Sequence, residues 1–303
     1  MIKWFEEDQD LKEVGGKALN LSEIQKFTNV PPGFTITSRG FDSFLRENNL
    51  TEGINQNIQT LIEEKENCEK TSEKIKEKII NKKIPKKLEK EINDNYEGLK
   101  DKLSLENSKK FKVAVRSSSI DEDNPKASFA GQHDTYLNVK KRKIIESVKK
   151  CFASLYNRRA LHYRVQKNIL RPKIKMAVII QEMIESKTSG VIFTRNPITK
   201  VNNQILIEAV SGSGESLVQG EESPNFYRID KNSEEIIEKN LKENRNSKNQ
   251  ITKEQLKKLI RQSKKIEKHF EEPQDIEWVI DKKGKLWITQ TRPETSDNNS
   301  SAR

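Results

Sequence analysis

The run Met176–Met183, MAVIIQEM, constrains the fold most. Its apolar residues are nearly continuous, so a strand built from it must be covered on both faces, as only a central strand is. The rest of the chain is polar. Of 303 residues, 32% are hydrophobic and 34% charged, and the mean hydropathy is −0.88. The apolar residues are gathered into a few runs instead of being diluted along the chain. That pattern predicts a globular protein with strongly solvated helices and not a disordered one. The length suits one large domain or two lobes.

Around this strand the periodicity alternates. Leu11–Phe27 reads as an amphipathic helix with Leu19, Leu21 and Ile24 inward, and Val30-Pro31-Pro32-Gly33-Phe34 as a turn into a strand at Phe34–Thr37. Thr37 or Ser38 caps a helix carrying Phe41, Phe44 and Leu45. Residues 50–110 are rich in Lys, Glu and Asn, with Ile54, Ile58, Leu61, Ile62, Ile75, Ile79, Ile80, Leu88, Ile92, Tyr96 and Leu99 at helical spacing and a break at Pro85. They predict a helical subdomain. Lys143–Lys167 predicts one long helix, and Gly190–Thr194 and Gln204–Val210 two strands. Glu234–Asn249 reads as a loose helix or loop, Ile251–Phe270 as a helix, and Ile276–Ile280 with Lys285–Thr291 as a hairpin around Asp281-Lys282-Lys283-Gly284. Ser296–Arg303 reads as a disordered tail. The mixture predicts an α+β chain in two lobes with a cleft.

Net charge is +11, from 57 basic and 46 acidic residues. The excess suits anionic partners. The lysines are interleaved with glutamates and lack interleaved aromatics, which argues against a nucleic-acid face. Two cysteines, Cys68 and Cys151, cannot build a disulfide framework, and neither has a metal-ligand neighbour. No run approaches the roughly 20 apolar residues of a membrane span, and MIKWFEEDQD lacks the apolar core of a signal peptide. The expectation is a cytoplasmic protein.

The chemistry concentrates in Val113–Val139, VAVRSSSIDEDNPKASFAGQHDTYLNV. An apolar strand delivers Arg116 and three serines, and the small-residue loop Ala127-Ser128-Phe129-Ala130-Gly131 follows. A fixed positive charge beside exposed backbone N–H groups suits a polyphosphate. Arg116 in an apolar strand demands a partner, and an internal salt bridge is the alternative reading. Gly15-Gly16-Lys17 stands at a helix start, where backbone donors and an ammonium can meet an anion; a plain surface lysine is its alternative. Neither standard nucleotide fingerprint, G-x-x-x-x-G-K-[ST] or G-x-G-x-x-G after a strand, is present.

Three further segments stand out. If Ile280 pairs with Lys285, Glu277 and Gln290 become diagonal neighbours on one face of the hairpin, roughly 7–8 Å apart at Cα, with Arg292 beyond. Their oxygens could share a Mg²⁺ ion, or the face could simply be solvated. Gln181-Glu182-Met183-Ile184 ends the central strand, where a connector can offer backbone groups to a planar base or merely leave the sheet. Ile207–Tyr227 holds Gly212, Gly214 and Gly220, which permit close backbone approach to a ligand but equally suit a simple loop.

In this order, VGGKALNLSEI (14–24), VPPGFTIT (30–37), the 113–139 segment, SLYNRRALHYR (154–164), VIIQEMIESKTSGVIFTRNPIT (178–199), EAVSGSGESLVQGEESPNFY (208–227) and QDIEWVIDKKGKLWITQTRPET (274–295) resemble the ATP-binding domain of the phosphoenolpyruvate synthase, pyruvate phosphate dikinase and rifampicin phosphotransferase family. The resemblance spans almost the whole chain. It implies an ATP-grasp fold, with an N-terminal lobe at 1–175 that carries the helical subdomain at about 50–110, a C-terminal lobe at 176–295 and a tail at 296–303.

By motif position it also implies site roles. Lys17 and Arg116 grip phosphates, the Gly131 loop and Thr135 cover them, Gln181, Glu182 and Ile184 hold adenine, Glu277 and Gln290 hold Mg²⁺, and Arg292 contacts the phosphates. Lys17, Arg116 and Arg292 are then the catalytic cations. Two positions depart from the family pattern: Ala18 stands for a glycine, and Ser213 for an apolar residue. Family enzymes pass phosphate through a histidine on another domain. None of His133, His162 and His269 lies in a carrier-type motif. The implied function is ATP-dependent phosphotransfer to a phosphohistidine carrier on a separate domain or subunit, with pyruvate as one final acceptor. A non-catalytic ATP-binding regulatory module and a basic nucleic-acid binder are the alternatives.

Overall fold

The computed structural model describes residues 1–63, 67–103, 111–120, 123–124, 127–128, 134–167, 169–170, 174–212, 224–241 and 251–294. The Gly131 position, His133, the glycine-rich stretch from Ser213 to Gly220 and the tail at 296–303 lie outside the described residues. The chain divides into two compact units, Met1–Ser22 with Pro32–Met183 and Glu23–Pro31 with Ile184–Arg303.

The first unit is built on a five-stranded sheet in the order β1 (Ile2–Trp4), β2 (Gly33–Ile36), β7 (Met176–Glu182), β3 (Val113–Ser119), β6 (Thr135–Val139), antiparallel at every pairing. The apolar run becomes β7 at the centre, as its composition predicts, and all its residues but Glu182 are buried. It belongs to the first unit, although the sequence reading opens the second lobe at 176. Phe34, Ile36, Val113, Val115, Val178 and Ile180 face a core shared with the helices. These are α2 (Ser38–Glu47), α3 (Thr51–Glu63), α4 (Cys68–Ile80), α5 (Lys86–Lys102) and α6 (Ile144–Ser154), and Phe41 and Phe44 of α2 stack on Phe152 of α6. The helical subdomain is thus present as α3–α5. Ile54, Ile58 and Leu61 of α3, Ile75 and Ile79 of α4, and Leu88, Ile92 and Leu99 of α5 are buried, whereas Ile62 is exposed and Ile80 half-buried, and Pro85 stands just before α5.

Two predicted features differ. The single helix over 143–167 is two helices, α6 and α7 (Arg158–Gln166), after a 3₁₀ turn at Lys141–Lys143. Tyr156 and Asn157 donate their N–H groups to Ala153 and Ser154 carbonyls in a tight turn, and Asn157 then leaves helical geometry (ψ 144°). The small-residue segment at 127–131 contributes β5 (Ala127–Ser128), paired with β4 (Asp123–Asn124).

The second unit carries a six-stranded antiparallel sheet. Its order is β11 (Ile236–Asn240), β10 (Asn225–Asp230), β9 (Gln204–Ser211), β8 (Ser186–Phe193), β12 (Gln274–Asp281), β13 (Leu286–Pro293). Helix α8 (Lys253–Phe270), held at its start by a Thr252–Gln255 capping box, packs on β12 and β13. Leu256, Leu259, Ile260 and Ile266 are buried on α8, and Ile276, Trp278 and Ile280 on β12. A Cβ on Gly190 would lie 1.8 Å from the Glu208 carbonyl oxygen and 2.7 Å from the Trp278 ring, so β8 passes there only as glycine. Where a loose helix or loop is predicted at 234–249, residues 236–240 form the exposed edge strand β11. Ile236 and Ile237 are exposed on it together with its polar residues. The chain at 23–31 shields the other edge, since Ile288 donates its N–H to the Asn29 carbonyl at 2.8 Å.

Candidate functional site

Helix α1 (Leu11–Ile24) is interrupted at Gly15 (φ 73°, ψ 164°), so Gly16 and Lys17 open a fresh helical turn, as the GGK reading requires. The close approach of β3 forces the break. A Cβ on Gly15 would come within 2.6 Å of Ser118 Oγ and 2.7 Å of its carbonyl oxygen. Ser118 Oγ donates to the Val14 carbonyl at 2.7 Å and accepts from the Ala18 N–H at 3.4 Å, which splices the two halves of α1 onto the strand. Lys17 lies alongside and donates its ammonium to the Ser117 carbonyl at 3.3 Å.

Strand register then groups the unit-1 candidates. Thr135 on β6 pairs with Arg116 on β3, Arg116 with Ile179 on β7, and Ile179 with Thr35 on β2. Residues directly opposite share a face. The next row on that face is Ala114, Gln181 and Gly33. Arg116, Thr135 and Gln181 therefore stand together on the face turned away from the aromatic core. Arg116 and Gln181 are buried, and Thr135 is exposed. At the end of β7 the N–H groups of Glu182 and Met183 are taken by the Pro32 and Lys112 carbonyls at 2.8 and 3.1 Å.

In the second unit the hairpin register differs from the predicted one. Ile280 pairs with Leu286, and Trp278 with Ile288. A one-residue bulge at Thr289 then sets Glu277 directly opposite Gln290 and Asp275 opposite Arg292. Glu277 and Gln290 are thus a direct cross-strand pair and not diagonal neighbours. Without the bulge Glu277 would meet Thr289, and Gln290 would turn to the core face. A carboxylate and an amide oxygen side by side are hard oxygen donors of the kind Mg²⁺ takes together with phosphate oxygens and water, so these residues fit the ion. Among the described residues no group of three His, Cys, Asp or Glu side chains gathers into an all-protein metal cage.

Arg292 donates Nε and Nη2 to one Asp275 carboxylate oxygen at 2.9 and 2.7 Å. Burial pushes the Asp275 carboxyl above the usual range, and the attraction of Arg292 only partly opposes it. Residue-type reasoning passed over Asp275. The alternation of Gln274-Asp275-Ile276-Glu277-Trp278, buried at every second residue, could have found it, since Asp275 must share the face of Glu277. A second pair, Arg195 Nε to Glu294 at 2.8 Å, ties the end of β8 to the end of β13, and the Glu294 side chain is only 2% exposed. Of the remaining reactive groups, Cys151 lies behind β3, where its Sγ donates to the Val115 and Asp134 carbonyls at 3.8 and 3.9 Å. Cys68 and Cys151 are both free thiols, and burial pushes both up in pKa. His269 packs on Phe27 and Phe270, and His162 is exposed on α7. No helix among the described residues is long and apolar enough to cross a membrane.

Comparison with known proteins identifies the family. Residues 11–303 match the family described as pyruvate phosphate dikinase, AMP/ATP-binding domain. A probable phosphoenolpyruvate synthase of Archaeoglobus fulgidus is 37% identical over 95% of this chain and 40% of its own length. The phosphoenolpyruvate synthases of Aeropyrum pernix and Pyrococcus furiosus are 35% and 33% identical over 97% of the chain, which covers 42% and 44% of them. The chain spans less than half the length of these relatives. Matched over residues 11–303 and 37% identical to such a synthase over 95% of its length, the chain belongs to the pyruvate phosphate dikinase AMP/ATP-binding domain family.

Proposed function

We propose that this chain binds Mg-ATP in an ATP-grasp fold whose two lobes, 1–175 and 176–295, share one nucleotide, and that it transfers a phosphoryl or pyrophosphoryl group to a carrier histidine on a separate domain or subunit. The observation that carries this reading is the row Thr135–Arg116 with Gln181 on the same sheet face and the Lys17 ammonium beside it. Lys17 and Arg116 grip the phosphates, joined by Thr135 and the Gly131 loop. Gln181 and Glu182 with the Ile184 N–H hold the adenine edge. Glu277 and Gln290 hold Mg²⁺, which neutralises charge on the phosphate oxygens. Arg292, oriented by Asp275, adds a cation for the transferring group. In a phosphoenolpyruvate synthase reaction the sum is ATP, pyruvate and water giving AMP, phosphoenolpyruvate and phosphate, and the acceptor half lies with other domains.

Calorimetric titration of the chain with ATP and Mg²⁺ tests the binding step. Saturable binding that is lost in Arg116→Ala is expected, and a wild-type chain that binds no nucleotide would overturn the reading. Transfer of radiolabel from β,γ-labelled ATP to a separately prepared carrier domain tests the chemistry. A chain that binds ATP but labels no carrier histidine is a regulatory module instead.

A further inference from the structure

Behind the row of candidate phosphate residues, on the helix-facing side of the same strands, lies a hydrogen-bond relay that none of the assigned roles uses. The Asp134 carbonyl accepts two bonds from Ser117, from its N–H at 3.3 Å and its Oγ at 3.0 Å. Ser117 follows Arg116, and Asp134 precedes Thr135, so these two bonds fix how the paired Arg116 and Thr135 stand to one another. The Ser117 carbonyl in turn holds Lys17. One peptide unit thus carries two of the candidate cations.

The Asp134 side chain is held from the other side. One carboxylate oxygen accepts from the Tyr136 hydroxyl at 2.7 Å and the other from Asn157 Nδ2 at 3.0 Å. Burial, and then the bonded Asp134 carboxylate, push the Tyr136 hydroxyl well above its ordinary pKa, so it remains a donor. Asn157 Oδ1 accepts from the Lys76 ammonium of α4 at 3.0 Å. The polarity of the Asn157 amide is therefore fixed at both ends, with its nitrogen toward a carboxylate and its oxygen toward a cation. The break between α6 and α7 sets this side chain at the start of α7.

We propose that Asp134 is the positioning residue of the phosphate grip and that Asn157 and Lys76 lock it, so that the helical subdomain sets the geometry in which Lys17, Arg116 and Thr135 meet the phosphates. The proposal rests on the reading of those three residues as phosphate ligands. Asp134→Asn leaves a single amide oxygen where the Tyr136 hydroxyl and Asn157 Nδ2 each had a carboxylate oxygen, and Asn157→Asp sets a carboxylate against the Asp134 carboxylate. Each single change costs the relay a charge-assisted hydrogen bond. The exchanged pair, Asp134→Asn with Asn157→Asp, restores an N–H to carboxylate bond and gives Lys76 a charged acceptor.

The test is affinity for Mg-ATP and for adenosine, measured by calorimetry on the full chain. Each single variant is expected to bind ATP about tenfold more weakly, as a lost buried hydrogen bond to a charged group implies, with adenosine affinity unchanged. The double variant should recover most of the loss. Equal weakening of ATP and adenosine, or no recovery in the exchanged pair, marks a purely structural role and overturns the proposal, as does wild-type ATP affinity in Asp134→Asn. If Asp134→Asn does not fold, Lys76→Met carries the test, with about threefold weaker ATP binding expected at unchanged adenosine affinity. Wild-type protein that binds neither ligand refutes the underlying site reading and not the relay.

Discussion

The two strand pairs that gather the candidate site residues, β3 with β6 and β12 with β13, solve the same problem in different ways. β3 is buried along its whole length, and its Ser117 and Ser118 are engaged across the sheet and by α1. β12 alternates between buried and half-buried residues, and its polar face is stabilised by an arginine–carboxylate pair. Both pairs contain a bulge, but at different places. In β3–β6 it lies beyond Arg116 and Thr135, with Asn138 in the left-handed region (φ 57°). In the hairpin it lies between the turn and Glu277, so the partner of Glu277 depends on it. A deeply packed strand fixes its polar groups through its surroundings. A half-exposed hairpin fixes them through register.

Breaking the buried pair should have the largest effect. Arg116→Ala removes the candidate phosphate cation and is expected to weaken ATP binding roughly a hundredfold, about 3 kcal/mol, measured by calorimetry. Gly15→Ala attacks the same region without touching a ligand residue. The added methyl meets Ser118, and the positive φ disfavours it, so thermal unfolding should report a loss of about 2 kcal/mol in the first unit.

In the hairpin, Gln290→Ala removes the amide oxygen that the bulge sets opposite Glu277. The Mg²⁺-dependent part of ATP affinity should fall about tenfold, while affinity measured in the presence of chelator changes little. Loss of both in parallel would mean that the hairpin has unfolded.

The smallest effect concerns pH. Burial raises the Asp281 carboxyl, but hydrogen bonds from Trp287 Nε1 at 3.0 Å and from the Lys285 and Lys283 N–H groups outweigh it and hold the group below its ordinary value of 3.8. A depressed carboxyl contributes stability that is present above the unfolded value and is lost as pH falls through 3.8 and lower. Trp287 fluorescence should therefore report loosening of the hairpin turn in acid, and Asp281→Asn should flatten that acid limb. An identical acid limb in the variant would remove Asp281 as its source.

Much of this was legible beforehand. The continuous run at 176–183 could only be central, and the isoleucine and leucine spacing of 50–110 could only be helical. The misreadings share one cause. Asn157 interrupts a helical pattern because its side chain serves Asp134 and Lys76, residues 23 and 81 positions away in the chain. β11 shows no strand pattern because an exposed edge buries neither face. Thr135 entered only by resemblance, since nothing local to it reveals that Arg116 lies opposite.

The sequence by itself determined the elements, the family and the residue types that can bind a metal nucleotide, because periodicity and composition act over a few neighbouring residues. Only the tertiary structure decided which of those residues meet. The pairing of Glu277 with Gln290 depends on a single bulged residue, and that of Arg116 with Thr135 on two bonds to one carbonyl. Strand register is a cooperative outcome of packing across the whole sheet, and a shift of one residue reverses the face of every side chain beyond it.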